Sequence, residues 1–266
     1  MQMGGGAQAQ GGGAMTLPGA AAPPAQAAPG DSDHDQVVGS LGIGFLGRRS
    51  MLVGCANGGV CGGIPGAPFG AGVQEVGAPV IGIRYWMDQT VGLDVGLGMA
   101  ISGSSLTVNP AQPPAATGDV PQASYYAFLI HAGLPLALAS SGHYSFQIIP
   151  EVNVGFGGWS QDAPALPLPA RQQGWSGSGF HLDVGARASA EIHFGFIGLP
   201  KLALQGSVGL LFAMNNTSSK DKELAAAPGA PPPPSEVKVS TTSFATTVQA
   251  APWEIFTTNV AALYYF

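Results

Sequence analysis

Charge is what this chain has least of. Its 266 residues include nine Lys and Arg and fifteen Asp and Glu, 9% in all, against roughly a quarter in an ordinary soluble domain. So few charges cover the surface of a soluble fold poorly. The basic residues form no stripe and the net charge is −6, which argues against a nucleic-acid partner. Long apolar runs are missing too. Hydrophobic residues make up 45%, yet no uninterrupted run reaches the roughly 18 residues that a membrane-spanning helix needs. Cysteine is limited to Cys55 and Cys61. The pair lies in a glycine-rich stretch, either as a local disulfide in an oxidising compartment or as two thiols. It lacks the further ligands of a zinc site. The 41 glycines keep no strict period of three, which excludes collagen. What these absences leave is a membrane β-barrel, whose apolar residues alternate along strands and never form long runs.

The patterning agrees. Residues 1–35 are mostly Gly, Ala, Pro and Gln and cannot bury enough apolar surface to offset the entropy of ordering, so a disordered tail is expected there. It ends in Asp31, Asp33, His34 and Asp35, a cluster read as a solvated acidic linker or a weak cation site. The Met1–Gln10 stretch lacks the basic and apolar regions of a secretory leader, so either a leader has been removed or the chain is not an outer-membrane barrel; Gly6–Gln10 resembles the residues around a cleavage site, which favours removal. Beyond the tail, residues 36–266 contain alternating segments at about 36–46, 76–87, 90–102, 123–138, 143–157, 178–197, 201–213 and 253–266. Tight-turn breaks at Asp88-Gln89, Ala139–Gly142 and Gly198-Leu199-Pro200 alternate with long ones at 47–75, 103–122, 158–177 and 214–252. Short turns on one side and long loops on the other are the layout of an up-and-down bacterial barrel, with both ends of an even-stranded chain on the periplasmic side. The expected fold is therefore all-β: a transmembrane antiparallel barrel of eight strands.

Side chains alternate between the two faces of a strand. In the sixth segment Phe180, Leu182, Val184, Ala186, Ala188, Ala190 and Ile192 share one face, and His181, Asp183, Arg187, Glu191 and His193 the other. Arg84, Asp94, His131 and Glu151 likewise fall opposite the apolar face of their own segments. A soluble barrel would turn the apolar face inward and clothe its outside in Lys and Glu. Here that outside would be mostly Gly, Ser and Ala. The apolar face is therefore expected to point outward to lipid, where an Arg or Lys at mid-depth costs roughly 2–4 kcal/mol. The ionisable groups Arg84, Asp94, His131, Glu151, Asp183, Arg187 and Glu191 then form a polar network in the lumen. Glu254 is an exception, on the outward parity of the last segment but near its far end. Tyr85, Trp86, Tyr144, Phe194 and Phe196 by the short turns, and Phe156, Trp159, Trp175 and Trp253 towards the long loops, read as two interfacial girdles.

The chain ends Asn259-Val260-Ala261-Ala262-Leu263-Tyr264-Tyr265-Phe266. A terminal Phe with Tyr264 two positions before it resembles the closing strand of bacterial outer-membrane barrels, and with eight segments the chain is similar to the small OmpA/OmpX-like barrels. The resemblance implies that Tyr264 and Phe266 are the signal read by the barrel assembly machinery, and that outer-membrane lipid surrounds the protein. No catalytic set is expected. His181 and His193, twelve residues apart, lie about 40 Å apart along a strand and cannot share a metal; neither a metal nor a cofactor is implied. An eight-stranded interior is just wide enough for side chains to fill it. The first expectation is thus a structural anchor or docking component of a cell-envelope assembly for adhesion, secretion or motility, meeting its partners through long loops or the tail. A narrow gated channel and, further off, a lipid-modifying enzyme are the alternatives.

Overall fold

The computed structural model describes residues 32–55, 73–103, 105–108, 118–121, 123–162, 174–222, 236–248, 253–257 and 259–266. These are almost entirely strand: β1 (Leu41–Cys55), β2 (Val73–Trp86), β3 (Gly92–Ser102), β4 (Ser105–Val108), β5 (Gly118–Pro121), β6 (Ser124–Gly133), β7 (Leu136–Ser141), β8 (Tyr144–Gln161), β9 (Gly174–Phe194), β10 (Leu199–Lys222), β11 (Glu236–Thr246) and β12 (Val260–Tyr265). The antiparallel sheet closes in a ring in the order β12-β1-β2-β3-β6-β8-β9-β10, with β10 returning to β12. β6 and β7 form one stave broken at Leu134-Pro135, since both pair with β8. β11 and β12 likewise share one flank of β10. β4 and β5 make a small separate ladder.

The alternation decides the orientation of the sheet. Along β3 the even-numbered positions Asp94 and Gly96 are buried, while Leu97 is 68% and Ile101 70% exposed on the outer surface. In β8 Ser145, Gln147, Glu151 and Asn153 point inward, and Phe146, Ile148, Val152 and Phe156 outward. The expected arrangement of faces is thus present: apolar outside, ionised inside. Two of the expected girdle aromatics are on the wrong side. Trp86 and Trp159 are buried because their parity is that of Arg84 and Asn153. The side chain of Trp175 lies outside the described residues.

Several strands outrun their expected limits. β1 and β2 extend into the expected loop 47–75. A one-residue bulge between Phe45 and Gly47 shifts the parity there, with Gly47 at φ 110°, so the alternation looked broken. β10 runs on to Lys222 and pairs with β11, which falls wholly inside the expected loop 214–252. The last segment is shorter than expected. Its start is one helical turn, α1 (Glu254–Thr257), and Glu254 therefore occupies no strand. The third tight turn also moves, to a 3-10 turn at Gly195–Ile197 closed by Gly198 at φ 83°.

All three tight connections lie at one end of the ring, together with Leu41 and Phe266, whose backbones bond to each other. The Asp88 carboxylate caps the first turn by accepting the Thr90 and Val91 amides at 2.7 and 2.8 Å. Those bonds hold its pKa below the usual carboxylate range. The segment Ser32–Ser40 crosses this end. The Asp33 amide donates to the Gly142 carbonyl, and the Asp33 carboxylate meets His143 at 2.6 Å and the Gly195 amide at 3.1 Å. His34 reaches the Gln89 carbonyl and packs edge-on against Trp86. Each of the three turns is thus tied to this segment. Asp33, His34 and Val37 are buried, which overturns the solvated-linker reading at these positions. The rest of the expected tail, with Asp31, lies outside the described residues.

Candidate functional site

The interior of the ring carries three tiers of polar contacts. In the tier nearest the short turns, Arg84 on β2 forks onto Asp94, its register partner on β3, with Nε–Oδ1 2.6 Å and Nη2–Oδ2 2.7 Å. Its remaining Nη1 crosses the ring to Glu191 on β9 at 2.6 Å. Glu191 also accepts from Gln147 at 2.9 Å and from the Tyr265 hydroxyl at 3.3 Å. That hydroxyl in turn accepts the Trp86 indole N–H. A planar guanidinium with five donors suits such a junction of two carboxylates better than an ammonium would.

The middle tier centres on Glu151 of β8. It receives Arg49 from β1, directly across the ring, at 2.9 Å, and Arg187 from its neighbour β9 at 2.7 Å. Arg187 spends a further N–H on Ser207 at 2.9 Å. The third tier runs along one row of register partners, His131, Asn153 and Asp183, and then steps to His181 and Asn215 in another. His131 Nδ1 lies 2.7 Å from Asn153 Oδ1, Asn153 donates to Asp183, and Asp183 Oδ2 meets His181 Nε2 at 2.8 Å. His181 Nδ1 faces Asn215 Oδ1 at 2.7 Å. Arg49, Arg84 and Arg187 thus share the interior with Asp94, Glu151, Asp183 and Glu191, and buried His193 lies with its Nε2 3.1 Å from Glu191 Oε1.

Every group expected in the lumen network is buried: Arg84, Asp94, His131, Glu151, Asp183, Arg187 and Glu191. They form separate tiers, however, rather than one web. Sequence reasoning missed Arg49 and Asn215, which the expected loops 47–75 and 214–252 contained, and Tyr265; it put Gln147 and Asn153 on the inner face but gave them no part in the network. Inward parity was the signal available for Gln147, Asn153 and Tyr265; Arg49 had none, because the bulge at Gly47 precedes it. Tyr264 and Phe266 point outward, more than half exposed, with Tyr264 in register with Ile43 and Leu202 on its two neighbours. The Cys55 side chain and Cys61 lie outside the described residues. Among the described residues, no three His, Cys, Asp or Glu side chains converge as a metal ion would require.

Arg84–Glu191 ties one wall to the opposite one, Arg49–Glu151 ties the inward-leaning part of β1 to β8, and each charge in these pairs is stranded if its partner is lost. Comparison with protein-family models, with curated proteins and with solved structures finds no match to this chain.

Proposed function

We propose that the ring is an eight-stranded transmembrane β-barrel of a bacterial outer membrane, of the small OmpA/OmpX-like kind, acting as a structural anchor or docking component of a cell-envelope assembly. The observation that carries this reading is the outer surface. Ile81, Leu97, Met99, Ile101, Phe146, Val184, Leu210 and Phe212 stand among many large apolar side chains exposed there, in a belt far beyond the patch a soluble monomer exposes. Lipid removes that cost, and turning the ion pairs inward keeps charge out of the hydrocarbon. On this reading the short-turn end and the termini are periplasmic, and the long connections lie outside the cell. The barrel assembly machinery reads Tyr264 and Phe266, and envelope partners dock on the long connections or the N-terminal tail. No catalysis and no cofactor enter.

The cross-ring pairs favour the anchor over the gated channel. A conducting path would have to part Arg84 from Glu191 and Arg49 from Glu151. Two experiments test the reading. The detergent-extracted protein is expected to migrate faster on a gel unboiled than boiled; identical mobilities would count against a barrel. In planar bilayers it is expected to be silent. Unit currents that change on Arg187→Ala would replace the anchor by the channel, and turnover of a lipid substrate abolished by His181→Ala would replace it by an enzyme.

A further inference from the structure

The upper part of the first hairpin does not stand in the wall. β1 pairs with β12 only over Gly42–Phe45, and β2 with β3 only over Val80–Trp86. Beyond these points, among the described residues, β1 and β2 pair with each other alone. From the bulge at Gly47 the hairpin leans into the ring, where Met51 and Val53 are buried on the inner faces of β8 and β9. That inner wall is cut to receive it. Gly157, Gly179 and Thr217 form one row of register partners across β8, β9 and β10, and Trp159, Gly177 and Ser219 form the next. A Cβ on Gly157 would strike Val53, one on Gly179 the backbone of Leu52, and one on Gly155 would crowd Met51. The result is a trough floored by glycine. Beside it lie polar atoms without hydrogen-bond partners: the Trp159 indole nitrogen and the Ser219 hydroxyl toward the long-loop end, and His131 Nε2 below. All three residues are buried, at most 3% exposed. Unsatisfied buried donors are uncommon in native interiors, and those of Trp159 and Ser219 adjoin a trough whose present occupant is a segment that no backbone ladder ties to the wall and that Arg49–Glu151 holds at its base.

We propose that this trough is a binding site for a long-chain amphiphile carrying a hydrogen-bond acceptor, of the fatty-acid class, and that the β1–β2 hairpin is its lid. The apolar chain takes the place of Met51 and Val53 along the glycine floor, and the head accepts from Trp159 and Ser219. The Glu151 tier closes the space below, so the ligand enters and leaves by the long-loop end and does not pass through. The proposal does not require the ring to lie in a membrane.

The test places a single cysteine at Val53 (V53C with C55S and C61S) in protein held in amphipol, free of detergent. The reporter is buried under the closed lid, so a maleimide is expected to label it slowly. Hexadecanoate is expected to raise the rate about tenfold or more, saturably. Trp159→Phe in the same background is expected to raise the half-saturating concentration by roughly 3- to 10-fold, the share of one hydrogen bond. Adding Gly179→Ala, whose Cβ displaces the Leu52 backbone, is expected to give fast labelling without hexadecanoate. A rate indifferent to hexadecanoate, a half-saturation unmoved by Trp159→Phe, or slow labelling in a folded Gly179→Ala protein would overturn the proposal. The titration needs no glycine replacement, so it stands if that variant fails to fold.

Discussion

Glu151 shows what a buried charge does in this molecule. Two arginines from different strands converge on it, and without it both would remain buried with no carboxylate between them. Breaking such a contact by removing one partner typically costs about 3–5 kcal/mol, although replacing the whole set by apolar groups can be neutral. Glu151→Gln is therefore expected to lower the temperature at which the unboiled gel form is lost, by more than Glu151→Gln combined with Arg49→Met and Arg187→Met. Equal losses in the two proteins would deny the tier its bracing role. Some of these residues were legible in sequence and some were not, for a local reason. Asp94 and Glu151 sit in unbroken alternation, so their parity places them inside. Arg49 sits two residues past a bulge that resets the parity, and a pattern with period two carries no information across an inserted residue.

The short-turn end is where elements meet. Ser32–Ser40 is held by hydrogen bonds to all three turns and by the buried ring of His34, so it acts as one docked unit. Burial pushes the His34 pKa below its usual value, partly offset by the Gln89 carbonyl and by the Glu191 charge. In the unfolded chain His34 takes its proton near pH 6.5. Between that pH and its lowered folded value the unfolded form binds more proton, so docking is fully stable above about pH 6.5 and weakens as pH falls. Proteolysis just after Val37 or Val38 is expected to speed up between about pH 6.5 and 5.5, and the His34→Gln protein to lose that dependence. A wild-type rate flat across this range would reject the argument. Asp33→Ala removes the contacts to His143 and Gly195 and is expected to free the segment at every pH. Sequence placed the three tight turns in the right order because turn residues punctuate them. It did not place this segment, whose order comes from contacts made 55 to 162 residues away. β11 was hidden for a similar reason. Its run of Ser and Thr lacks apolar alternation, and only the ladder with β10 makes it a strand.

At the scale of the whole molecule, one asymmetry organises the rest: the outer surface is greasy and the interior ionised. If the terminal strand is read by an assembly machinery, deleting Phe266 is expected to cut the amount of heat-modifiable protein in the outer membrane several-fold without loss of synthesis; an unchanged yield would remove that role. The central claim is tested most directly by nitroxide labels placed one at a time from Phe180 to Ile192 in protein reconstituted into bilayers. Along this strand the exposed side chains are even-numbered and the buried ones odd. The account expects collisions with bilayer-dissolved oxygen to alternate with period two, high at 182, 184, 186, 188 and 190, with a water-soluble nickel reagent excluded there. Even-numbered labels that the nickel reagent reaches freely, with no oxygen maximum at mid-depth, would contradict it.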